Sequence, residues 1–242
     1  MSSRRPSVFR RLPSCLAALA LVGTATGAAA DPVCTLIVDV ANAVPLVRTG
    51  PECDTRTSPA SSFKVALSLM GFESGILQDA HAPEWPYRDE YRAWNDAWKR
   101  PVDPTAWLRD SVVWYSQVLT TTMGQARFKG YVDALGYGNR DITGDPGTTN
   151  GLTRAWLSSS LQISPAEQVT MLRRLVRHEL PFSTRAHDLT MATMPSFAAD
   201  DWTVFGKTGT GNVPRADGTL DDDRAFGWFV GWARRGDRTV VF

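Results

Sequence analysis

The spacing of apolar residues changes repeatedly along this chain, and each change predicts a different element. Cys34 to Val40 (CTLIVDV) is rich in branched residues and reads as a strand. Val44 to Val47 follows a short turn, so the two read as a hairpin. From Ser61 to Met70 the residues Phe63, Val65, Ala66, Leu67, Leu69 and Met70 are apolar nearly all round. That pattern predicts a buried helix, with Gly71 and Gly75 bracketing its end. Ala80 to Pro104 carries Trp85, Trp94 and Trp98 among charges and prolines and reads as irregular surface structure. Thr105 to Met123 places Trp107, Leu108, Val112, Tyr115, Val118 and Leu119 at helical spacing. A Gly- and Asp-rich loop covers Gly136 to Gly151. Ser164-Pro165-Ala166-Glu167 is a capping box with proline at the first helical position, opening a helix expected to reach Leu180. Strand signals return at Trp202 to Thr208, Phe226 to Trp232 and from Arg238 onward.

Strands, then many helices, then strands predict an α+β fold. The expectation is an antiparallel sheet of N- and C-terminal strands flanked by helices, with a mostly helical lobe. A length of 242 residues suffices for one large domain with a real core. No internal repeat is visible. The sequence stops at Phe242 inside a strand-like run (RTVVF), which reads as a truncated C-terminus.

The first thirty residues are of another kind. Arg4, Arg5, Arg10 and Arg11 precede an apolar stretch from Leu16 to Val22, and small residues end at Ala28-Ala29-Ala30. This is the pattern of a secretory signal peptide over 1–30, too short for a membrane span, leaving a domain over 31–242. Its removal takes away four arginines and no acid, so the formal charge would move from +1 to about −3. Neither value argues for nucleic acid as a partner. Export implies a periplasmic protein with no membrane attachment after cleavage. Cys34 and Cys53 would then be an even pair in an oxidising compartment, which suggests a disulfide worth roughly 3 kcal/mol in the chain-entropy model. Two free thiols are the alternative. His81, His178 and His187 are scattered and have no metal-ligand spacing, so no metal site is expected.

The chemistry-bearing residues come next. Ser61-Ser62-Phe63-Lys64 fits S-x-x-K, and residues three apart on a helix share a face. A lysine in an apolar helix is costly unless neutralised or paired. Burial lowers its pKa, and a neutral amine could take a proton from the serine or add carbon dioxide to become a carbamate. The ordinary reading is a lysine that snorkels beside a helix-capping serine. Lys207-Thr208-Gly209, followed by Thr210, ends a strand-like run. A cation and hydroxyls beside glycines suit a carboxylate lying along a strand edge, but the same residues also make an ordinary turn. Ser111-Val112-Val113 offers a hydroxyl that could relay a proton, although Ser116-Gln117-Val118 fits the same pattern. Tyr137-Gly138-Asn139 is a turn, and Trp156 offers an indole N–H to a buried anion.

Taken in order, these segments resemble the class D (oxacillinase-type) serine β-lactamases over most of the chain beyond residue 30. Pro59-Ala60-Ser61-Ser62-Phe63-Lys64, Ser111-Val112-Val113, Tyr137-Gly138-Asn139, Trp156-Leu157, Lys207-Thr208-Gly209 and Gly227-Trp228-Phe229-Val230-Gly231-Trp232 carry the likeness. It favours Ser111 over Ser116, and implies a small-molecule β-lactam as substrate and no cofactor beyond carbon dioxide or bicarbonate. It further implies that Ser61 is acylated and that Lys64 carries the carbamate (N6-carboxylysine) and acts as base in both half-reactions. Trp156 would steady that group, Val113 keep it dry, and Ser111 with Lys207 pass a proton to the leaving nitrogen. The N–H groups of Ser61 and Thr210 would form an oxyanion hole. Thr208, Gly209 and Lys207 would hold the substrate carboxylate, and Tyr137 and Asn139 would line the site or shape its wall. Class A enzymes carry an S-D-N element where this sequence has Ser-Val-Val. The arginine that commonly anchors the carboxylate in this family would fall beyond Phe242. Two other functions fit parts of the pattern: a β-lactam sensor that stays acylated, and a cell-wall peptidase.

Overall fold

In the computed structural model, residues 33–242 are described, apart from Ala216 and Gly218. The expected signal peptide lies outside the described residues. A six-stranded sheet runs in the order β2-β1-β6-β5-β4-β3, with every neighbouring pair antiparallel. Its strands are β1 (Thr35–Asp39), β2 (Pro45–Thr49), β3 (Ser196–Ala199), β4 (Trp202–Pro214), β5 (Leu220–Arg235) and β6 (Arg238–Val241). N- and C-terminal strands therefore share one sheet, as the pattern predicted, with β6 between β1 and β5. Cys34 and Cys53 are disulfide-bonded and tie the start of β1 to the segment beyond β2.

Among the described residues the α-helices are α1 (Lys64–Glu73), α2 (Pro104–Asp110), α3 (Val113–Met123), α4 (Gln125–Leu135), α5 (Gly151–Arg154), α6 (Pro165–Val176) and α7 (Thr184–Thr193). Helix α1 is buried from Lys64 through Phe72, which is what an all-round apolar helix requires. Its last residue, Glu73, accepts the backbone N–H (2.8 Å) and hydroxyl (2.7 Å) of Ser183, the N-cap of α7.

Several boundaries differ from the expectations. The helix expected from Ser61 begins instead as a 3-10 turn over Ala60–Phe63; α1 proper starts at Lys64 and ends at Glu73, between Gly71 and Gly75 as expected. The single helix expected over Thr105–Met123 is two helices, because Ser111 adopts φ +58° and ends α2. Apolar periodicity ran unbroken across that joint and hid it. Helix α6 stops at Val176, short of Leu180, because the chain turns at His178 with φ +56°. Helices α4 and α7 and strand β3 were not expected, although Phe128, Val132 and Leu135 on α4 have helical spacing. Residues 80–103 are irregular apart from an isolated bridge between Trp85 and Val102 and one short turn at Asp96–Trp98. They are not purely surface, since Trp85, Tyr87, Tyr91 and Trp98 pack against the core.

Candidate active site

The turn that carries Ser61, the candidate nucleophile, forms where the chain enters the core. The Ser62 N–H donates to Pro59 O (3.1 Å), and Ala60 takes φ +47°. This leaves Ser61 partly exposed while Lys64 beneath it has no exposed surface. Lys64 Nζ stands 3.0 Å from Ser61 Oγ. Burial among apolar side chains holds the Lys64 amine well below the usual lysine range, and the nearby charge of Lys207 pushes it further the same way.

A second amine–hydroxyl pair lies beside the first. Lys207 Nζ donates to Ser111 Oγ at 3.0 Å and to Thr208 O at 2.9 Å. Burial lowers the Lys207 pKa to about 8, so at neutral pH this amine is mostly protonated while Lys64 is the easier of the two to neutralise. Ser116, the alternative to Ser111, is fully buried and accepts the indole N–H of Trp107 at 2.9 Å. Ser111 is therefore the serine that reaches the second lysine. Its left-handed backbone costs on the order of 1–2 kcal/mol for a residue with a Cβ. Ala60, at φ +47°, directly precedes Ser61, and Ser158, at φ +53°, borders the same cleft, so three such residues gather around Ser61.

Strand β4 passes directly over the nucleophile turn. A Cβ on Gly209 would lie 2.7 Å from Ser62 N and 2.9 Å from Pro59 O, so only glycine fits. Thr208 and Thr210 alternate with it and are exposed; Thr210 lines the cleft and pairs with Gly227 of β5. The cleft, about 530 Å³, is bordered by Ser61, Ser111, Val113, Leu157, Ser158 and Thr210, with Arg92, Trp94 and Trp98 on its outer wall.

Trp156 is fully buried and stacks on Phe63, with centroids 5.6 Å apart, and its Nε1–H has no partner among the described residues. Tyr137 and Asn139 do not line this cleft. Tyr137 packs edge-on against Phe63 from behind and borders a separate cavity of about 590 Å³ beside Arg56 and Glu167. Asn139 staples its own loop: Nδ2 donates to Ser160 O (2.7 Å), and Oδ1 accepts the Gln162 N–H (3.0 Å). The turn faces away because Gly138 adopts φ +51° against the Gln162 carbonyl, an approach that no Cβ permits.

Sequence reasoning missed the supports of this site. Ser58 Oγ donates to Trp156 O (2.8 Å) and accepts the Ser158 N–H (2.9 Å), while Trp228 Nε1 donates to Ser58 O (2.9 Å). Gln168 Nε2 donates to Ser62 Oγ (3.0 Å), which in turn donates to Pro59 O (2.7 Å). No local pattern marks Ser58 or Gln168, because their partners lie about a hundred residues away. No cluster of three metal-binding side chains occurs among the described residues, and no helix among them is long and apolar enough to cross a membrane.

Helices packed on an antiparallel sheet, with a serine–lysine pair at the head of a buried helix and a Lys-Thr-Gly strand above it, define a penicillin-recognising serine acyltransferase. Residues 26–242 match the penicillin binding protein transpeptidase domain. The chain is 48% identical to β-lactamase OXA-9 of Klebsiella pneumoniae over 86% of its own length and 77% of that protein's. It is 39% identical to β-lactamase OXA-1 of Escherichia coli over 75% of its length and 63% of that protein's. Its structure superposes on that of the class D β-lactamase OXA-427 with a TM-score of 0.81 at 44% identity, covering 86% of each chain. The chain belongs to the class D β-lactamases, which are serine hydrolases of β-lactams.

Proposed function

We propose that this protein hydrolyses β-lactam antibiotics through an acyl-enzyme on Ser61 with Lys64 as the base, and so confers resistance. The observation that carries the reading is the 3.0 Å approach of a fully buried, proton-poor amine to a partly exposed hydroxyl. In acylation the Ser61 Oγ–H proton passes to the Lys64 amine as Oγ bonds to the lactam carbonyl carbon. The backbone N–H groups of Ser61 and Thr210 receive the developing oxyanion. The C–N bond then breaks as Ser111, held by the Lys207 ammonium, hands its proton to the leaving nitrogen and is reprotonated by the Lys64 ammonium, which returns to a neutral amine. In deacylation water attacks the ester, the neutral Lys64 amine takes its proton, and that proton passes to Ser61 Oγ as the acyl C–O bond breaks. Thr208, Gly209 and Lys207 present a polar strand edge to the carboxylate of the substrate.

Carbon dioxide bound to the Lys64 amine would supply a carbamate oxygen as proton acceptor. The surroundings fit such a group: Trp156 Nε1–H is a buried donor with nothing to bond among the described residues, and Val113 is 2% exposed. Both would hold the modified lysine in place and keep water from it.

We also propose that the protein works in the periplasm. The basic, apolar and small-residue succession over 1–30 and the Cys34–Cys53 bond support this, since disulfides persist in oxidising compartments.

The test is hydrolysis of nitrocefin and benzylpenicillin by the wild type, Ser61→Ala and Lys64→Ala, with and without added bicarbonate. Turnover by the wild type alone, raised by bicarbonate, is the expected result. Equal rates in all three proteins would refute it. A permanent penicilloyl adduct in the mass spectrum, without turnover, would make the protein a sensor instead.

A further inference from the structure

The outer wall of the Ser61 cleft has a chemistry that the reaction itself does not use. From Ser111 the wall can be followed outward residue by residue. Asp110, the neighbour of Ser111, accepts the indole N–H of Trp98 on its backbone carbonyl at 3.0 Å. The Trp98 carbonyl in turn accepts Trp114 Nε1–H at 3.0 Å, so this indole is held at both ends of its residue. Trp94 lies 6.2 Å from Trp98, centroid to centroid, and is 51% exposed. The Arg92 guanidinium stands over the Trp94 ring at 6.0 Å.

Arg92 makes no ion pair or side-chain hydrogen bond among the described residues. Of its sequence neighbours, Glu90 faces Arg88 at 3.7 Å. No aspartate or glutamate borders the cleft, and the other bordering arginine, Arg154, is held by Asp145 at 3.0 Å. An unpaired guanidinium over an exposed indole, at the mouth of a cleft with the Lys207 ammonium beside Ser111, attracts an anion joined to an aromatic ring.

We propose that Arg92, Trp94 and Trp98 form an acyl-side-chain subsite that favours β-lactams carrying both an aromatic ring and a second carboxylate on that side chain. The ring stacks on the indoles, and the carboxylate meets Arg92. The carboxylate common to all β-lactams is left to the β4 edge. The inference rests on the hydrolytic reading above.

A matched substrate pair tests it. Benzylpenicillin and carbenicillin differ by one carboxylate on the benzyl carbon. For the wild type, Arg92→Gln, Arg92→Lys and Arg92→Glu, the readout is the ratio of kcat/KM for carbenicillin to that for benzylpenicillin at low and high salt. The ratio should fall about fivefold in Arg92→Gln and further in Arg92→Glu, and be partly kept in Arg92→Lys. Benzylpenicillin turnover should stay within about twofold of the wild type. High salt should shrink the wild-type ratio toward that of Arg92→Gln. An unchanged ratio in Arg92→Gln and Arg92→Glu overturns the subsite while leaving the hydrolytic reading intact. A wild type that turns over neither penicillin is failure of that reading instead. The subsite is then still read by calorimetric binding of the two penicillins to Ser61→Ala with and without Arg92→Gln, where equal affinities in both proteins overturn it.

Discussion

Lys207 Nζ donates to Ser111 Oγ at 3.0 Å, although 96 residues separate them in the chain. The contact sets a protonated amine beside the neutral-prone amine of Lys64, so two lysines on one cleft floor take opposite roles. On the proposed mechanism Lys64 must lose its proton to work, and Lys207 must keep one.

This division fixes the shape of the pH profile. Lys207 sheds its proton above about pH 8, so kcat/KM is expected to fall on the alkaline side with an apparent pKa near that value. Arginine stays protonated throughout that range, so Lys207→Arg should lack the alkaline limb whatever its absolute rate. Stability moves the other way. Both amines have folded pKa values below the unfolded value of about 10.4, so the unfolded chain binds more protons between the two. Urea melts should therefore show stability rising with pH over that window, and rising less in Lys207→Met. An alkaline limb that persists in Lys207→Arg would contradict the assigned role.

The proposed role of Trp156, donating to an anion on Lys64, is separable from a purely structural one. The indole Nε1–H is buried and has no partner among the described residues, which costs about 1–3 kcal/mol relative to a satisfied donor. Trp156→Phe removes that donor and keeps an aromatic ring against Phe63. The melting temperature is expected to hold or rise when the Lys64 amine is unmodified. The bicarbonate concentration for half-maximal activity is expected to rise about tenfold, the equivalent of one charge-assisted hydrogen bond. An unchanged bicarbonate requirement would mean that the indole is packing alone.

Much of this arrangement was legible in the sequence, and the illegible parts share a cause. The Ser61–Lys64 spacing, the strand-helix-strand order and the Ser164–Glu167 capping box are local patterns, and each was found where it was read. The break at Ser111 was hidden because Trp107, Leu108, Val112 and Tyr115 are all buried on either side of it, so the apolar rhythm carried no sign of a left-handed residue. The Tyr-Gly-Asn turn was visible as a turn, but its direction depends on Gly138 meeting Gln162 from a distant segment. Ser58 and Gln168 act only through partners brought by tertiary packing, and no spacing rule reports those.

Two glycines on the β4–β5 pair make opposite predictions. At Gly209 an added Cβ meets backbone atoms of Ser62 and Pro59 at 2.7 and 2.9 Å, and neither can swing aside. Gly209→Ala should cost about 1–3 kcal/mol of stability, as overpacking does, and displace the nucleophile turn enough to lower kcat/KM at least a hundredfold. At Gly227 the same Cβ meets nothing within 4 Å. Gly227→Ala should change stability by less than about 0.5 kcal/mol. Melting curves and nitrocefin rates on both variants check the pair, and a tolerant Gly209→Ala would mean that β4 sits further from the turn.

Glu167 gives the acid side of the stability profile. Its carboxylate accepts Arg56 Nε–H at 2.9 Å and the Ser164 N–H at 2.9 Å, closing the capping box of α6 and joining it to the segment before the nucleophile turn. Arg56, first, and then the cap hold the Glu167 pKa at about 2, below its ordinary 4.5. A carboxylate whose folded pKa is lowered stabilises fully above its unfolded value and loses that contribution as pH falls through the folded one. The share owed to Glu167 is therefore present above about pH 4.5 and fades toward pH 2. Glu167→Gln keeps the shape but cannot follow this titration. It should be less stable than the wild type at pH 7 by about 1 kcal/mol, the ordinary worth of a cap, with the pair partly exposed. The difference should narrow as pH drops below 4. Urea midpoints for both proteins between pH 3 and 7 measure it, and a gap that stayed constant over that range would show that the Arg56 contact contributes nothing through charge.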